Sequence, residues 1–262
     1  MPRFKLLIEY AGTRYSGWQI QKNARTVQGE IDRAVREVAK RREFELYGSG
    51  RTDAGVHALA QVAHLELYTT LQPESLRRKL NDELPADIHI RAIEPAPHRF
   101  HARHDAISRC YLYQISRRRT AFGKPLVWWI REPLAIDAMR AAARAFIGMK
   151  DFRAFTDDEP EEKSTRVLVE SIEIAESGAL ILIRVRGSHF LWKMVRRMVG
   201  VLAAVGRQEL DPTDAGRLLS DQHEAAKPAA LAAPAAGLFL EAVLYKGDDA
   251  PGPMTPVINI GA

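Results

Sequence analysis

The stretch Gly48-Ser49-Gly50-Arg51-Thr52-Asp53-Ala54-Gly55-Val56-His57-Ala58-Leu59 constrains the fold of this chain more than any other. Its three glycines fall within eight residues. Glycine enters backbone regions closed to most other residues, so the chain can turn sharply here and come close to a ligand. Apolar alternation resumes directly after it from Ala58 to Leu67, and Phe44-Glu45-Leu46-Tyr47 alternates before it; both read as strands. Asp53 is therefore expected on a loop held by sheet on either side. That loop is either an Asx-type turn whose carboxylate satisfies local amides, or a reactive loop. Arg51 bears on the choice, because a permanent charge two residues away would keep a partly shielded Asp53 ionised and available as nucleophile or base. The loop is also longer than the roughly two to five residues usual in a hairpin.

At 262 residues, 46% hydrophobic and 27% charged, the chain suits one large or two moderate globular domains. No stretch approaches the roughly twenty apolar residues of a membrane span. Met1-Pro2-Arg3-Phe4-Lys5 runs straight into a strand-like segment without an apolar signal core, which leads to the expectation of a cytoplasmic protein. A single cysteine, Cys110, excludes an intrachain disulfide and a multi-cysteine metal site. The net charge of +5 is a weak pointer to nucleic acid, and its placement says more. From Arg99 to Arg119 there are six arginines (Arg99, Arg103, Arg109, Arg117, Arg118, Arg119) against one acid, Asp105. This is either a solvated basic hairpin or a surface that neutralises phosphates.

The remaining pattern alternates strands with amphipathic helices. Phe4 to Tyr10 reads as a first strand, followed by a turn-rich segment from Ala11 to Gln21 in which Tyr15 and Trp18 are expected to pack rather than meet bases. Thr26 caps a helix running to about Lys40, and a second helix spans Pro73 to Leu84. Ile88 to Ile93 is a strand. Arg109 to Ile115 is another, with Tyr111 and Tyr113 on one face. Val127 to Ile130 is a short strand candidate, Ile136 to Ile147 an Ala-rich helix, and 151–165 a charged, turn-like loop. A hairpin joins Arg166–Ala175 to Ala179–Arg186 through Ser177-Gly178. Leu191, Val195, Met198, Leu202 and Val205 follow helical spacing, which puts Arg196 beside apolar surface with Trp192 one turn before it. An arginine there either snorkels along the core edge or pairs with an anion. The Ala-rich run 229–236 leads into a last strand from Gly237 to Tyr245.

Both halves combine antiparallel strands with two helices. The expected fold is α+β: two similar domains of mixed, mainly antiparallel sheet with packed helices, the sheets joined across a central active-site cleft. The expected boundaries are 1–105 for a domain carrying the Asp loop, 106–246 for one carrying the Tyr strand and Arg helix, and 247–262 for an irregular tail rich in proline and glycine.

Gly50-Arg51-Thr52-Asp53-Ala54-Gly55-Val56-His57-Ala58 resembles the catalytic loop of the tRNA pseudouridine synthase A family, whose members isomerise uridines in the anticodon arm of tRNA. The resemblance extends to the N-terminal motif, except that Ala11 stands where an aspartate is expected. It includes the Arg109-x-Tyr111 spacing, the element Lys150 to Phe155 with lysine in place of an expected histidine, and the third active-site motif from Gly187 to Gly200. It implies isomerisation of uridine to pseudouridine at tRNA positions 38, 39 and 40. It further implies that Asp53 is the nucleophile or base, that Tyr111 stacks on the target base and aids proton transfer, and that Arg196 pairs with Asp53. Arg51 is the candidate to fill the space of the extruded base or touch its phosphate, and Arg109 to contact substrate. Leu238 either lines the uracil pocket or packs in the core. Arg99, Arg103, Arg117, Arg118 and Arg119 are candidates for the RNA backbone. The resemblance also implies a homodimer with tRNA lying across both subunits.

The reaction breaks the bond from C1′ to N1, turns the uracil and rejoins C1′ to C5. Nothing is oxidised, reduced or hydrolysed. No redox cofactor, metal or activated water is therefore expected, and neither a nucleotide-binding Gly-rich loop nor a zinc-ligand cluster is evident in the sequence. An aspartate, with a reference pKa of about 3.9, can attack C6 of uracil or C1′ of the ribose, or remove the C2′ proton. A paired uridine must first be extruded, at a cost of a few kcal/mol. The non-enzymatic alternative is a tRNA-binding or chaperone protein. An aspartyl phosphotransferase would want a second acid and a metal beside the nucleophile, where this loop has Arg51.

Overall fold

The computed structural model describes residues 1–40, 43–158, 164–220 and 226–261. In chain order the elements are β1 (Arg3–Tyr10), α1 (Val27–Ala39), β2 (Glu45–Gly48), β3 (His57–Glu66), α2 (Pro73–Glu83), β4 (Ile88–Ala96), β5 (Ala106–Ser116), β6 (Trp128–Trp129), α3 (Ile136–Ala143), β7 (Gly148–Asp151), β8 (Arg166–Ser177), β9 (Leu180–Gly187), α4 (Met194–Gly206), α5 (Asp214–Leu219) and β10 (Leu238–Tyr245). The fold is α+β, as its sequence pattern predicts. Among the described residues no helix is long and apolar enough to cross a membrane.

Local chemistry sets the element ends. The Thr26 side chain accepts the Gly29 amide at 3.2 Å to cap α1, which stops where Lys40 turns left-handed at φ 50°. Pro73 occupies the first turn of α2, where its missing N–H costs nothing. Gly178, at φ 56°, makes the hairpin between β8 and β9.

The chain divides into two compact units. The first comprises Met1–Ile107 with Phe239–Ala250, the second Ser108–Leu238 with Pro251–Ala262. Sequence pattern alone kept 106–246 together; the structure instead joins Phe239 and Leu240 to His57 and Ala58 of β3 through parallel pairing. In the first unit β1 lies between β4 and β3, antiparallel to both. The other side of β3 carries β10 at its start and β2 at its end. Phe4, Leu6, Ile8 and Tyr10 alternate into the core, as period-two burial requires.

In the second unit β5 pairs antiparallel with β9, β9 with β8 and β8 with β7, while β6 runs parallel to β5. Among its described residues the tail has no regular element, yet it is tied down: the Val257 amide donates to the Gln114 side chain at 2.7 Å and Arg184 donates to the Gly252 carbonyl at 2.8 Å. Two details depart from the periodicity. The Ala-rich helix ends at Ala143 and tightens into a 3-10 turn over Arg144–Phe146. Within 151–165, residues 159–163 lie outside the described residues. Leu191 and Trp192 precede α4 rather than belonging to it, because Lys193 adopts φ 62° and ends any helical run there.

Helix α4 is buried from Arg197 to Gly206 on every side, which its apolar circumference demands. The Ala-rich segment gains its reason here. A Cβ on Gly200 would lie 1.7 Å from the Leu231 carbonyl oxygen, so small residues let this connection lie directly on the helix. Gly200→Ala is accordingly expected to cost about 3 kcal/mol or more. Gly216→Ala, in α5 with nearest contact at 4.0 Å, should stabilise by up to about 1 kcal/mol. Urea denaturation of both variants tests the contrast.

His64 is 3% exposed, and its Nδ1 accepts the Ala102 amide at 3.1 Å. Burial first, then the nearby His101 and Arg3, lowers its pKa from 6.5 to about 4. The folded protein therefore holds this ring neutral in a range where the unfolded chain protonates it. Its contribution is complete above about pH 6.5 and is lost as pH falls towards 4. Between pH 7.5 and 4.5 the wild type should lose about 2 kcal/mol more stability than His64→Gln; equal losses in urea midpoints converted to free energy would refute this.

Candidate active site

The Asp53 loop is built by two segments of the first unit gripping each other through their backbones. The Trp18 amide donates to the Thr52 carbonyl at 3.1 Å, and the Gly55 amide donates to the Tyr15 carbonyl at 3.2 Å. The Tyr10 hydroxyl and Thr52 Oγ1 share a buried hydrogen bond of 2.8 Å. Burial pushes the Tyr10 hydroxyl pKa up, so it remains a neutral phenol there. The Gly12 amide donates to His57 Nδ1 at 3.1 Å, which places that ring's proton on Nε2 when the ring is neutral. On the far side the Ser49 hydroxyl donates to the Gln61 side chain at 2.7 Å, and Gln61 Nε2 donates to the Gly50 carbonyl at 3.1 Å. Gln61 is fully buried, and sequence reading passed over it because a lone polar residue in a strand carries no signal of its partner.

Two glycines of the β1–α1 connection make this approach possible. A Cβ on Gly12 would lie 1.9 Å from the Val56 carbonyl oxygen, and one on Gly17, at φ 92°, would lie 2.5 Å from that of Thr52. Tyr15 and Trp18 are buried, as expected, and Trp18 fills the space against Gly48. Thr52 is therefore locked inside, while Asp53 is half-buried and Arg51 exposed. Asp53 closes the loop by accepting the Val56 amide on its carbonyl at 3.1 Å. Where an aspartate was expected, Ala11 is exposed and donates its amide to the Asp87 carbonyl at 2.9 Å. The Asp87 carboxylate in turn holds Arg14 and the Tyr15 hydroxyl.

The other expected site residues group within the second unit. Tyr111 is half-buried, its ring edge-on to Phe190 at 5.3 Å. Arg109 Nη1 donates to the Ser188 carbonyl at 2.9 Å. The segment from Ser188 to Phe190 thus backs both residues. Arg196 Nε donates to the Ala233 carbonyl at 2.7 Å, and the Ala233 amide returns a bond to the Arg196 carbonyl at 2.9 Å. The next carbonyl, of Pro234, accepts from the Tyr113 hydroxyl at 2.8 Å. Burial raises the Tyr113 pKa well above its ordinary value, against the opposing charge of Arg196. Leu238 is 4% exposed at the start of β10. Trp192 is exposed and lies before the helix, which corrects its expected place one turn below Arg196.

The sequence reading missed what holds the start of α4. Asp158 accepts the Trp192 amide at 2.9 Å, while Asp157 accepts from Lys193 at 2.7 Å and from the buried Arg197. These bonds, Lys193 first and Arg197 after it, keep the Asp157 carboxyl below its usual range.

The expected backbone-binding arginines are divided between the two units. Arg99 and Arg103 are exposed in the first unit. Arg117 pairs with Glu176, Arg118 donates to the Ile260 carbonyl, and Arg119 lies 5.8 Å from the centroid of the Trp129 ring, all in the second.

The model of the family described as tRNA pseudouridine synthase matches residues 6–105 and 142–246. The matched segments contain Asp53, Arg196 and Leu238, whereas Arg109 and Tyr111 fall in the interval between them. The tRNA pseudouridine synthase A of Pseudothermotoga lettingae is 38% identical over 246 residues, covering 93% of this chain and 99% of that protein. Those of Nitrobacter winogradskyi and Rhodopseudomonas palustris are 39% and 40% identical, each covering 94% of this chain and 97% and 100% of the relative. The chain belongs to the tRNA pseudouridine synthase family. It is an isomerase of uridine in tRNA.

Because Gly17 has no room for a side chain beside Thr52, Gly17→Ala should push the Thr52–Asp53 backbone outward. Turnover is expected to fall by about tenfold or more with tRNA affinity within a few fold. Tyr10→Phe, which removes the hydroxyl that meets Thr52 and Gln61, should cost about 1 kcal/mol or more of stability. Single-turnover product formation and denaturation midpoints measure the two effects.

Proposed function

We propose that this enzyme converts uridines 38, 39 and 40 of the tRNA anticodon stem-loop to pseudouridine, with Asp53 as the reacting carboxylate. The observation that carries the reading is the Asp53 loop itself: its flanking backbone is clamped at Thr52 and Gly55 while the carboxylate-bearing residue stays half-buried beside an exposed arginine. A group held in this way loses little entropy when it meets a base, which is what orienting a nucleophile or proton acceptor requires. A cationic neighbour favours its ionised form.

The uridine reaches Asp53 only after extrusion from the stem, and Arg51 fills the vacated position or holds the phosphate of the flipped nucleotide. Asp53 either bonds to C6 or C1′ or takes the C2′ proton, and loss of the C5 proton completes the new C1′ to C5 bond. The family resemblance assigns Tyr111 to stacking on the uracil and to proton transfer, and Arg196 to charge compensation of the carboxylate. Arg109 and Leu238 take substrate-binding roles in the same scheme. Arg99, Arg103, Arg117, Arg118 and Arg119 supply salt-dependent contacts to the RNA backbone. The enzyme works as a cytoplasmic homodimer and uses no cofactor.

Release of tritium from tRNA labelled at C5 of uridine tests this reading. The wild type should release label. Asp53→Asn should release none while binding tRNA within a few fold of wild type. Continued release by Asp53→Asn would remove this residue from the mechanism.

A further inference from the structure

Outside the Asp53 loop, the first unit carries a connected group of rings. Tyr47, in β2, lies with its ring nearly parallel to His64 at 5.8 Å and edge-on to His101 at 4.9 Å. His101 also meets His64 at 4.8 Å and His104 at 4.2 Å. Hydrogen bonds fix how these rings sit. His64 Nδ1 accepts the Ala102 amide, and His101 Nδ1 accepts the amides of Arg103 and His104 at 3.1 and 3.3 Å. In the neutral ring the proton of His101 is consequently on Nε2. The His101 amide is taken up by Asp105 at 2.9 Å.

The exposure of this group is unusual for so ordered a structure. Tyr47 is 45% exposed, although buried His64 lies behind it, and His104 is exposed. A tyrosine left in water on a sheet earns no stability from its open face, whereas a ring already held by its neighbours loses little freedom when another ring stacks on it. The surroundings carry both signs: Glu45, two residues before Tyr47 on the same face of β2, lies opposite Glu66, whose carboxylate holds Arg3. The segment 97–105 brings Arg99 and Arg103, both exposed, and its one acid, Asp105, already accepts the His101 amide. An exposed ring packed against a segment that carries arginines matches a nucleotide, which offers a flat base and an anionic phosphate. The location agrees. Tyr47 precedes Arg51 by four residues, so no more than about 14 Å of chain separates the ring from the loop that bears Asp53.

We propose that Tyr47, supported by His64 and His101, forms a second nucleotide site, on which an unpaired base of the substrate tRNA stacks while the uridine occupies the Asp53 loop. The inference rests on Asp53 marking the place of the target uridine. A base in a duplex already has its faces covered, so the occupant is a nucleotide of a loop or one unstacked by base extrusion. Tyr47 is then a binding residue with no part in bond making.

The test uses the full-length enzyme with tRNA and, as a polyanion without bases, heparin. Tyr47→Ala should weaken tRNA binding about tenfold, the range for loss of one base stack, with the deficit in KM rather than kcat and with heparin affinity unchanged. Tyr47→Phe, which keeps the ring, should bind tRNA within twofold of wild type. Wild-type tRNA affinity in Tyr47→Ala would overturn the site. So would an equal loss for heparin, a Phe variant as weak as the Ala variant, or a Tyr47→Ala deficit that accompanies a lowered melting temperature. Tritium release by Asp53→Asn, measured alongside, separates the two assignments. Release there discards the role of Asp53, whereas the Tyr47 titrations report on base stacking alone.

Discussion

The bond from the Trp18 amide to the Thr52 carbonyl is where the first unit commits its chain to a particular surface. Neither segment is regular structure, so each would leave backbone groups to find partners elsewhere. Together they satisfy one another, with Gly55 donating to Tyr15 and Tyr10 closing on Thr52 from the core side. The approach is so close that Gly12 and Gly17 tolerate no side chain. Packing, hydrogen bonding and backbone freedom thus meet in one place, and they leave Asp53 as the carboxylate on a loop whose backbone is held from both sides. For an isomerase that needs no redox chemistry, a well-aimed carboxylate is a large part of what the protein must supply.

The second unit solves a related problem with different means. Helix α4, apolar from Met198 onward, carries Arg196 in its first turn, where a cation needs polar partners. The Ala233 carbonyl receives its Nε, and the chain reaches that carbonyl because Gly200 lets the Ala-rich segment lie against the helix. At the same end the carboxylates of Asp157 and Asp158 hold Lys193, Arg197 and the Trp192 amide, beside the left-handed turn that starts the helix. A stretch of low-complexity alanine and a charged loop, each easily taken for filler, are therefore parts of the support for one arginine.

Much of this was legible in the sequence where the signal is local. Alternation placed β1, β5, β8 and β9, Thr26 and Pro73 marked helix starts, and the glycines around Asp53 marked the loop. The burial of Tyr15 and Trp18 followed from ordinary packing. The signals that failed were those depending on partners far along the chain. Periodicity extended α4 back to Leu191, because nothing local announces that Asp158 will capture the Trp192 amide. The same limitation kept β10 with the preceding residues, although Phe239 pairs with His57 from the opposite end of the sequence. Likewise, nothing local announces that Arg117 and Arg118 find partners near residues 176 and 260.

By itself the sequence determined the element pattern, the glycine-rich loop around Asp53 and the kinship with enzymes that isomerise tRNA uridines, because each of these is written in contiguous residues whose backbone preferences and chemistry are their own. Tertiary structure alone decided that Gln61 braces the loop from within, that Gly12 and Gly17 serve as its seat, that an Ala-rich linker carries the acceptor for Arg196, and that Tyr47 meets the buried His64 and, through His101, the exposed His104. The physical reason is that hydrogen bonding and close packing depend on separation in space, while sequence pattern reports only separation along the chain.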